Sequence, residues 1–307
     1  MGYFRHASFQ KNLQLRACII QAIRSFFVDR DYLEVETPIR IPAPAPEAHI
    51  DAIESEGRFL QTSPELCMKR LLAAGIPRIF QICKCFRQGE RGRLHLPEMT
   101  LLEWYRADSN YLEMMDECEA LINTVACMNG SKEDILVYQG KEIKLTRPWP
   151  RISVSEAFEK WGSISVHGAL ERGQFDDIMV EKIEPNLAQT RPVFLYDYPA
   201  SRAALARLKP QDLQYAERFE LYIGGLEICN AFSELTDPVE QRKRFERETD
   251  HRRTSGKPVY PMPEKFLTAL GNMPAAAGNA LGIDRLVMLF SDSKQIDDVV
   301  TFTPEEL

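Results

Sequence analysis

The 307-residue sequence contains no Cys-x-x-Cys and no uninterrupted apolar run long enough to span a bilayer. Its seven cysteines are scattered and odd in number, which argues against a disulfide framework. The closest pair, Cys83 and Cys85, lies in a strand-like stretch with only His95 nearby, too few ligands for zinc; reduced thiols are expected instead. The opening "MGYFRHASFQ" lacks the apolar core of a secretory leader, so the expectation is a cytoplasmic protein without a membrane partner. Positive charge is also short: 38 Lys and Arg against 45 Asp and Glu give a net charge of −7. That balance argues against bulk nucleic-acid binding while leaving room for one basic patch. Missing too are the G-x-S-x-G nucleophile turn, the P-loop and a G-x-G-x-x-G after a strand, and with them the usual hydrolase, P-loop and dinucleotide folds.

What is there reads as an α+β domain with a mainly antiparallel sheet. Leu13, Ala17, Ile20, Ile23 and Phe27 recur at helical spacing after Ser8, a candidate N-cap. "YLEVETP" is a short strand stopped by Pro38, and "IRIPAPAPEAHI" is an extended proline-rich loop. "QTSPELCMKRLLAAG" reads as a helix with Ser63 as N-cap, Pro64 in the first turn and Gly75 as its stop. "RIFQICKCFR" and "PEMTLLEWY" form a hairpin around the polar tip "QGERGRLHL". Residues of about 108–190 read as a helical insertion. "RPVFLYDYP" is a further strand, and "AERFELYIGGLEICNAFSEL" reads as two more around a Gly-Gly turn. The helix in "DPVEQRKRFERETDHRR" carries a basic run that is either a solvated, salt-bridged face or a docking surface. The chain then ends on "NALGIDRLVMLFS", a strand or turn running into an apolar helix.

The chemistry lies in charged residues in apolar company. At period 2, Met99, Leu101, Glu103 and Tyr105 share one strand face, so Glu103 points where core residues point. A buried carboxylate is costly without a cation beside it, whether a structural arginine or the ammonium of a ligand. Glu65 sits in a first helical turn, where the helix dipole favours it. Glu227 and Glu234, seven apart, fall on opposite faces of a straight strand, and sharing a site requires a bulge near Cys229 to Ala231. Each of Arg87 and Arg285, at strand ends, could simply pair with a neighbouring glutamate. Taken together, these carboxylates and arginines suggest a site for a cation and a polyphosphate, with a divalent metal absorbing charge.

These motifs resemble the catalytic domain of class II aminoacyl-tRNA synthetases, specifically the lysyl branch. Motif 1 corresponds to the first helix with "LEVETP", motif 2 to "FRQGERGRLHLPEMTLLEWY" and motif 3 to "GNALGIDRLVM"; "TSPELCMKRLLAAG" and "GLEICNAFSELTDP" are further lysyl-type signatures. The resemblance implies ATP and Mg²⁺ as cofactors, with Arg87, Arg285 and Glu234 in catalysis. It implies an ATP site from Arg87, Gln88, Gly89, His95, Leu96, Met99, Glu227, Ile228, Gly282 and Arg285, with Glu227 and Glu234 on the metal. It implies that Ser63, Pro64, Glu65, Glu103, Tyr105, Asn230, Glu234 and Ala280 hold a lysine-like substrate. The chain departs from the lysyl pattern at Gly89, which displaces the usual acid to Glu90, at Met99 in place of an adenine-stacking Phe, and at Ala280 in place of Gly.

Motif 1 begins within the first dozen residues, so a single catalytic domain over 1–307 is expected, with no anticodon-binding domain. That organisation is similar to the free-standing lysyl paralogues that activate (R)-β-lysine and join it to a lysine of elongation factor P. The resemblance therefore implies lysine or (R)-β-lysine as substrate, elongation factor P as protein acceptor, no tRNA and a homodimer built on motif 1. A minimal enzyme that charges tRNA and a non-catalytic ligand-binding paralogue are the alternatives.

Overall fold

A nine-stranded sheet organises the fold, in a computed structural model that describes residues 7–128 and 134–307. Residues 1–6, the start of the segment inspected for a leader, lie outside the described residues. Across the sheet the strands run Leu33–Glu34, Arg78–Phe86, Glu98–Ala107, Ala276–Gly282, Leu226–Ser233, Asp212–Ile223, Val193–Pro199 and Arg151–Ser153, with Leu208–Lys209 paired onto Asp212–Ile223. The outermost pairings are parallel and the others antiparallel, as the α+β reading expects. Among the described residues no helix is long and apolar enough to cross a membrane.

The strand Glu98–Ala107 is covered on both faces. Leu102 and Trp104 point into the main core, against helices Ala7–Val28, Tyr111–Met128 and Ile283–Phe290. Leu101, Glu103 and Tyr105 point the other way, into a cavity. The alternation read from the sequence therefore holds, and one of its two faces is a ligand-sized hollow rather than core.

Helix Ala7–Val28 already includes Ser8, the residue expected to precede it as N-cap. The buried stripe is Ile19, Ala22, Ile23, Phe26 and Phe27, while Ala17 faces solvent, so the stripe is rotated from the expected one. Arg16 on this helix pairs with Asp284 (2.6 Å) and donates to Thr100 Oγ1 (2.7 Å), and Asp284 also accepts from the Thr100 N–H (2.8 Å). These three residues join the first helix, the central strand and the last long helix.

The helix after the proline-rich loop spans Glu65–Ala73, and Gly75 follows it at φ +95°, the left-handed stop glycine permits. Gly224 and Gly225, both at positive φ, close the hairpin of Asp212–Ile223 with Leu226–Ser233. In that hairpin Leu221 pairs with Cys229 but Tyr222 pairs with Glu227, leaving Ile228 as an extra residue. The bulge anticipated near Cys229 to Ala231 thus falls at Ile228, and it turns Glu227 onto the cavity face.

The stretch 108–190 divides in two. Helix Tyr111–Met128 buries Met114, Met115, Cys118, Leu121 and Ile122 in the main core and is integral to it. Beyond it come a hairpin of Ile135–Tyr138 with Lys141–Lys144, the sheet-edge strand Arg151–Ser153, and short helical turns packed around Phe158, Phe175 and Ile183. The strands were hidden in the sequence because each is only three or four residues long.

Helix Pro238–Thr254 starts on Asp237, which accepts from Val239 and Glu240 N–H. Its basic run is used inside the chain: Arg242 pairs with Glu264, and Arg244 pairs with Glu240 and donates to the carbonyls of Ala204 and Ala206. Arg252 is fully buried and donates to the carbonyls of Glu47, Ile50 and Pro258, to Asp51 and to the Tyr260 hydroxyl. One guanidinium thereby pins the proline-rich loop over the sheet. Arg252→Ala strands those acceptors, and the expected loss is about 3–5 kcal/mol of unfolding free energy. Equilibrium urea denaturation measures it, and a loss below about 1 kcal/mol, the scale of an exposed ion pair, would show the loop to be held elsewhere.

Candidate active site

The cavity, of about 410 Å³, lies on the sheet face opposite the main core. Adjacent strands present their side chains to it in register. One row across the sheet is Glu103, Ala280, Asn230 and Glu220, and the next is Tyr105, Gly278, Phe232 and Arg218. Glu234 continues the alternation of Asn230 and Phe232 past the strand end.

At one end three carboxylates gather around one lysine. Lys69 Nζ lies 2.5 Å from Glu65 Oε1, one helical turn away, and 2.5 Å from Glu234 Oε2. Glu103 has no such ion pair among the described residues. It accepts from Ser63 Oγ at 2.6 Å and from the Tyr105 hydroxyl at 2.8 Å, while Ser63 Oγ accepts from the Glu65 N–H at 3.0 Å. The N-cap position falls on Pro64, one residue later than the Ser63 expected, yet Ser63 still takes up the Glu65 N–H and also holds the carboxylate the sequence singled out. Gly278 is required here. A Cβ would come within 2.3 Å of both Glu234 Oε1 and the Tyr105 ring.

Burial pushes Glu103 up to about 7, with Glu65 adding to it against the Ser63 and Tyr105 hydroxyls. Burial likewise takes Glu234 to about 8, opposed by Lys69 and reinforced by Glu65. Burial works against the Lys69 charge as well, and Glu234 and Glu65 outweigh it, so its pKa is raised. With all groups charged the cluster of Glu65, Glu103 and Glu234 carries −3 against one +1. Glu234 Oε1 has no hydrogen-bond donor among the described residues.

The other end is cationic. Arg285 donates to the Glu227 carbonyl (2.9 Å) and Oε2 (3.1 Å), and its Nη2 lies 2.6 Å from His95 Nε2. Burial and the neighbouring Arg285 charge lower the pKa of His95. Arg87 follows the strand Arg78–Phe86, faces the displaced acid Glu90 at 3.8 Å, and leaves its buried Nε without a hydrogen-bond partner among the described residues. Leu96, Met99, Ile228 and Gly282 line the same end, and a Cβ on Gly282 would meet nothing closer than 3.9 Å. Gln88 and Gly89 lie in the adjoining loop, Gln88 donating to the Asp51 carbonyl and Gly89 at φ +77°. Pro64 immediately precedes the helix that carries Glu65 and Lys69.

Glu227 and Glu234 share the cavity face but have different partners, Arg285 for Glu227 and Lys69 for Glu234. Seven residues at about 3.3 Å each, less the bulge, place them roughly 20 Å apart along the strand. The carboxylate brought near Glu227 is Glu220, across the hairpin. Its pKa is raised by burial and, among its neighbours, by Glu227, and it is held by Arg218 (2.7 Å) and the Tyr222 hydroxyl (2.7 Å). Two neighbouring hard oxygen donors, each already beside an arginine, could also take a divalent cation whose remaining ligands are phosphate and water. Among the described residues no group of three or more His, Cys, Asp or Glu side chains converges as a metal cage. Cys83 and Cys85 lie 3.8 Å apart, while His95 turns to Arg285 instead.

Sequence reasoning missed Lys69, Arg218, Glu220, Gly278 and Glu47, all near or lining the cavity. Lys69 was within reach as the i+4 partner of Glu65, and Glu220 as the residue two before Tyr222 on a face-alternating strand. Nothing local pointed to Glu47 in its proline-rich loop.

A family model described as "tRNA synthetases class II (D, K and N)" matches residues 1–306. A protein of Hamiltonella defensa is 38% identical over 312 residues, 96% of this chain and 95% of that protein. One from Pectobacterium atrosepticum is 38% identical over 313 residues, again 96% and 95%. One from Proteus mirabilis is 39% identical over 308 residues, 95% and 94%. All three are named elongation factor P–(R)-β-lysine ligase.

The raised carboxyls have a consequence for stability. Glu103 and Glu234 bind protons in the folded state up to about 7 and 8, whereas the ordinary value is 4.5. Their contribution to stability is therefore full below the ordinary value and is lost as pH rises through 7 to 8. The ligand-free protein should lose unfolding free energy between pH 5 and pH 8, and Glu103→Gln should flatten part of that slope. Urea titrations at stepped pH measure it, and identical slopes for the two proteins would remove Glu103 from the account.

Proposed function

The chain belongs to the class II tRNA synthetases (D, K and N), and from that premise we propose that it is an ATP-dependent ligase acting on an amino acid with two amino groups. The amino acid is lysine or (R)-β-lysine, activated as an aminoacyl-adenylate and transferred to a lysine of elongation factor P. The observation that carries this reading is the cluster of Glu65, Glu103 and Glu234 with Lys69 as its one paired cation, two positive charges short of neutrality. A doubly ammonium-bearing substrate supplies both. The names of the relatives support the acceptor and the isomer.

In this reading Glu65, Glu103, Tyr105 and Glu234 receive the ammonium groups, with Ser63, Pro64, Asn230 and Ala280 shaping the pocket. Arg87 meets the α-phosphate and the amino-acid carboxylate, which its unpartnered Nε favours. His95, Leu96, Met99, Ile228, Gly282 and Arg285 form the nucleotide wall, with Gln88 and Gly89 in the loop beside it. Glu220 and Glu227 would hold Mg²⁺, in place of the Glu227 and Glu234 pair expected from the sequence. That ion would supply charge neutralisation on the phosphates. Pre-set guanidinium donors at developing phosphate charge provide the remainder of the stabilisation.

The single-domain organisation rests on the family match over 1–306, and cytoplasmic action follows from the acceptor. A homodimer through the motif 1 stretch is supported by the exposed Val28, Leu33 and Ile39 there.

Incubation with ATP, (R)-β-lysine and elongation factor P should raise the acceptor's mass by one lysyl residue. Mass spectrometry reads it, and an unmodified acceptor alongside charged tRNA would overturn the choice of acceptor. Arg87→Ala should abolish amino-acid-dependent pyrophosphate exchange.

Ala280 pairs with Glu103 on one side and Asn230 on the other, so its methyl lies between two substrate-facing side chains. The isomers differ only in where one amino group sits, and one methyl in a pocket is worth about 10- to 200-fold in selectivity. Ala280→Gly should shift kcat/KM for exchange towards α-lysine by a factor in that range. An unchanged ratio would place discrimination elsewhere in the pocket.

A further inference from the structure

Of the glutamates lining the cavity, Glu65, Glu90, Glu103, Glu220 and Glu227 each have a cation or hydroxyl at hand. Glu47 has neither a hydrogen bond nor an ion pair to its carboxylate among the described residues, yet it faces the same cavity. Its backbone is fixed. Arg252 Nη1 donates to the Glu47 carbonyl at 2.7 Å, and the next N–H, on Ala48, donates to Glu248 Oε2 at 2.9 Å. The charged groups around the carboxylate are Glu65, Arg87, Glu248 and Arg218. The residue is half-buried and lines the cavity.

In the function proposed above, Glu65 takes a substrate ammonium and Arg87 the α-phosphate. The acyl carbon that joins those two ends lies between them, and Glu47 is the free carboxylate facing both. An acceptor lysine arrives as an ammonium, with an ordinary pKa of about 10.4, and cannot attack until it loses a proton. A ribose hydroxyl carries no such extra proton.

We propose that Glu47 is the general base of the transfer step, accepting the proton of the incoming lysine ammonium. The freed amine then attacks the adenylate carbonyl carbon. The C–N bond forms, the bond from that carbon to the phosphate oxygen breaks, and AMP leaves with the electron pair. The second nitrogen proton passes to an AMP phosphate oxygen, and the proton on Glu47 leaves to solvent through the cavity mouth once the products go. Burial first, and Glu65 next, push Glu47 up to about 7, which narrows the gap to the acceptor and leaves an ionised fraction near neutral pH.

The inference rests on the ligase reading, and the test separates the two. Wild type and Glu47→Gln are assayed for amino-acid-dependent pyrophosphate exchange and for single-turnover transfer from the preformed adenylate to elongation factor P. The expected result is a fall in transfer about 10²- to 10⁴-fold larger than any fall in exchange. Hydroxylamine, already unprotonated at neutral pH, should discharge the variant's adenylate at the wild-type rate. Retained exchange also shows that the variant is folded; should it fail to fold, Glu47→Asp, which withdraws the carboxylate by one methylene, is read by the same ratio. Equal losses in both steps, with a raised KM for the amino acid, would make Glu47 a binding residue and overturn the proposal. Undiminished transfer, or slowed hydroxylamine discharge, would overturn it as well. A wild-type protein inactive in exchange would overturn the ligase reading and this inference with it.

Discussion

Three carboxylates share the interior of one sheet face with a single lysine, and the rest of the site is arranged around that imbalance. Isolated buried charges are costly, and like charges in low dielectric are worse. The fold meets part of the cost with Lys69, which lies within 2.5 Å of two of the three, and part with the Ser63 and Tyr105 hydroxyls on the third. The remainder is left as proton uptake at Glu103 and Glu234 when no ligand is present. A ligand carrying two ammonium groups would displace those protons and complete the cluster. The same crowding explains Gly278, whose missing side chain is the space that Glu234 and Tyr105 occupy.

Charge of the opposite sign collects at the other end of the cavity, in Arg87 and Arg285. Neither guanidinium is saturated by bidentate pairing with one carboxylate. Arg285 spreads its donors over the Glu227 carbonyl, the Glu227 carboxylate and His95, and the buried Arg87 Nε has no partner among the described residues. In the proposed function, a cavity acidic at one end and basic at the other would orient an amino acid before any chemistry begins, ammonium groups inward and carboxylate towards the phosphates. Holding reactants in line in this way removes much of the entropic part of a bimolecular barrier.

The fold was largely legible because its signals are local and periodic. The Gly-Gly turn, the Ser63–Gly75 helix and the Glu103 face each follow from spacing within a dozen residues. Failures came where the deciding partner is remote or the element is short. Arg252 looked like one member of an exposed basic run, yet its five acceptors include atoms two hundred residues earlier in the chain. Arg16 carried no signal at all, because Asp284 and Thr100 meet it only in the folded chain. The proposed change of carboxylate pair has a related reason. Seven residues of strand separate Glu227 from Glu234, whereas a tight turn folds Glu220 back beside Glu227. Family resemblance supplied a set of glutamates, and strand geometry decided which of them meet.

The two halves of the proposed chemistry also sit on different kinds of structure. Ammonium recognition is built from a helix and from paired strands, where Glu65, Glu103 and Lys69 are fixed by backbone ladders and by each other. Such elements hold side chains to the sub-ångström tolerances that discrimination between isomers demands. The groups nearest solvent, Arg87, His95 and Glu47, stand instead on the hairpin tip and the proline-rich loop. Those loops are not loose, since Arg252 clamps one and the Arg87 N–H bonds the Pro97 carbonyl across the base of the other. A substrate must enter, a nucleotide product must leave and a protein side chain must reach the acyl carbon, all through the same mouth. Placing selectivity on the sheet and the exchange of ligands at anchored loops would let the mouth adjust without moving the carboxylates that, in the proposed function, choose the substrate.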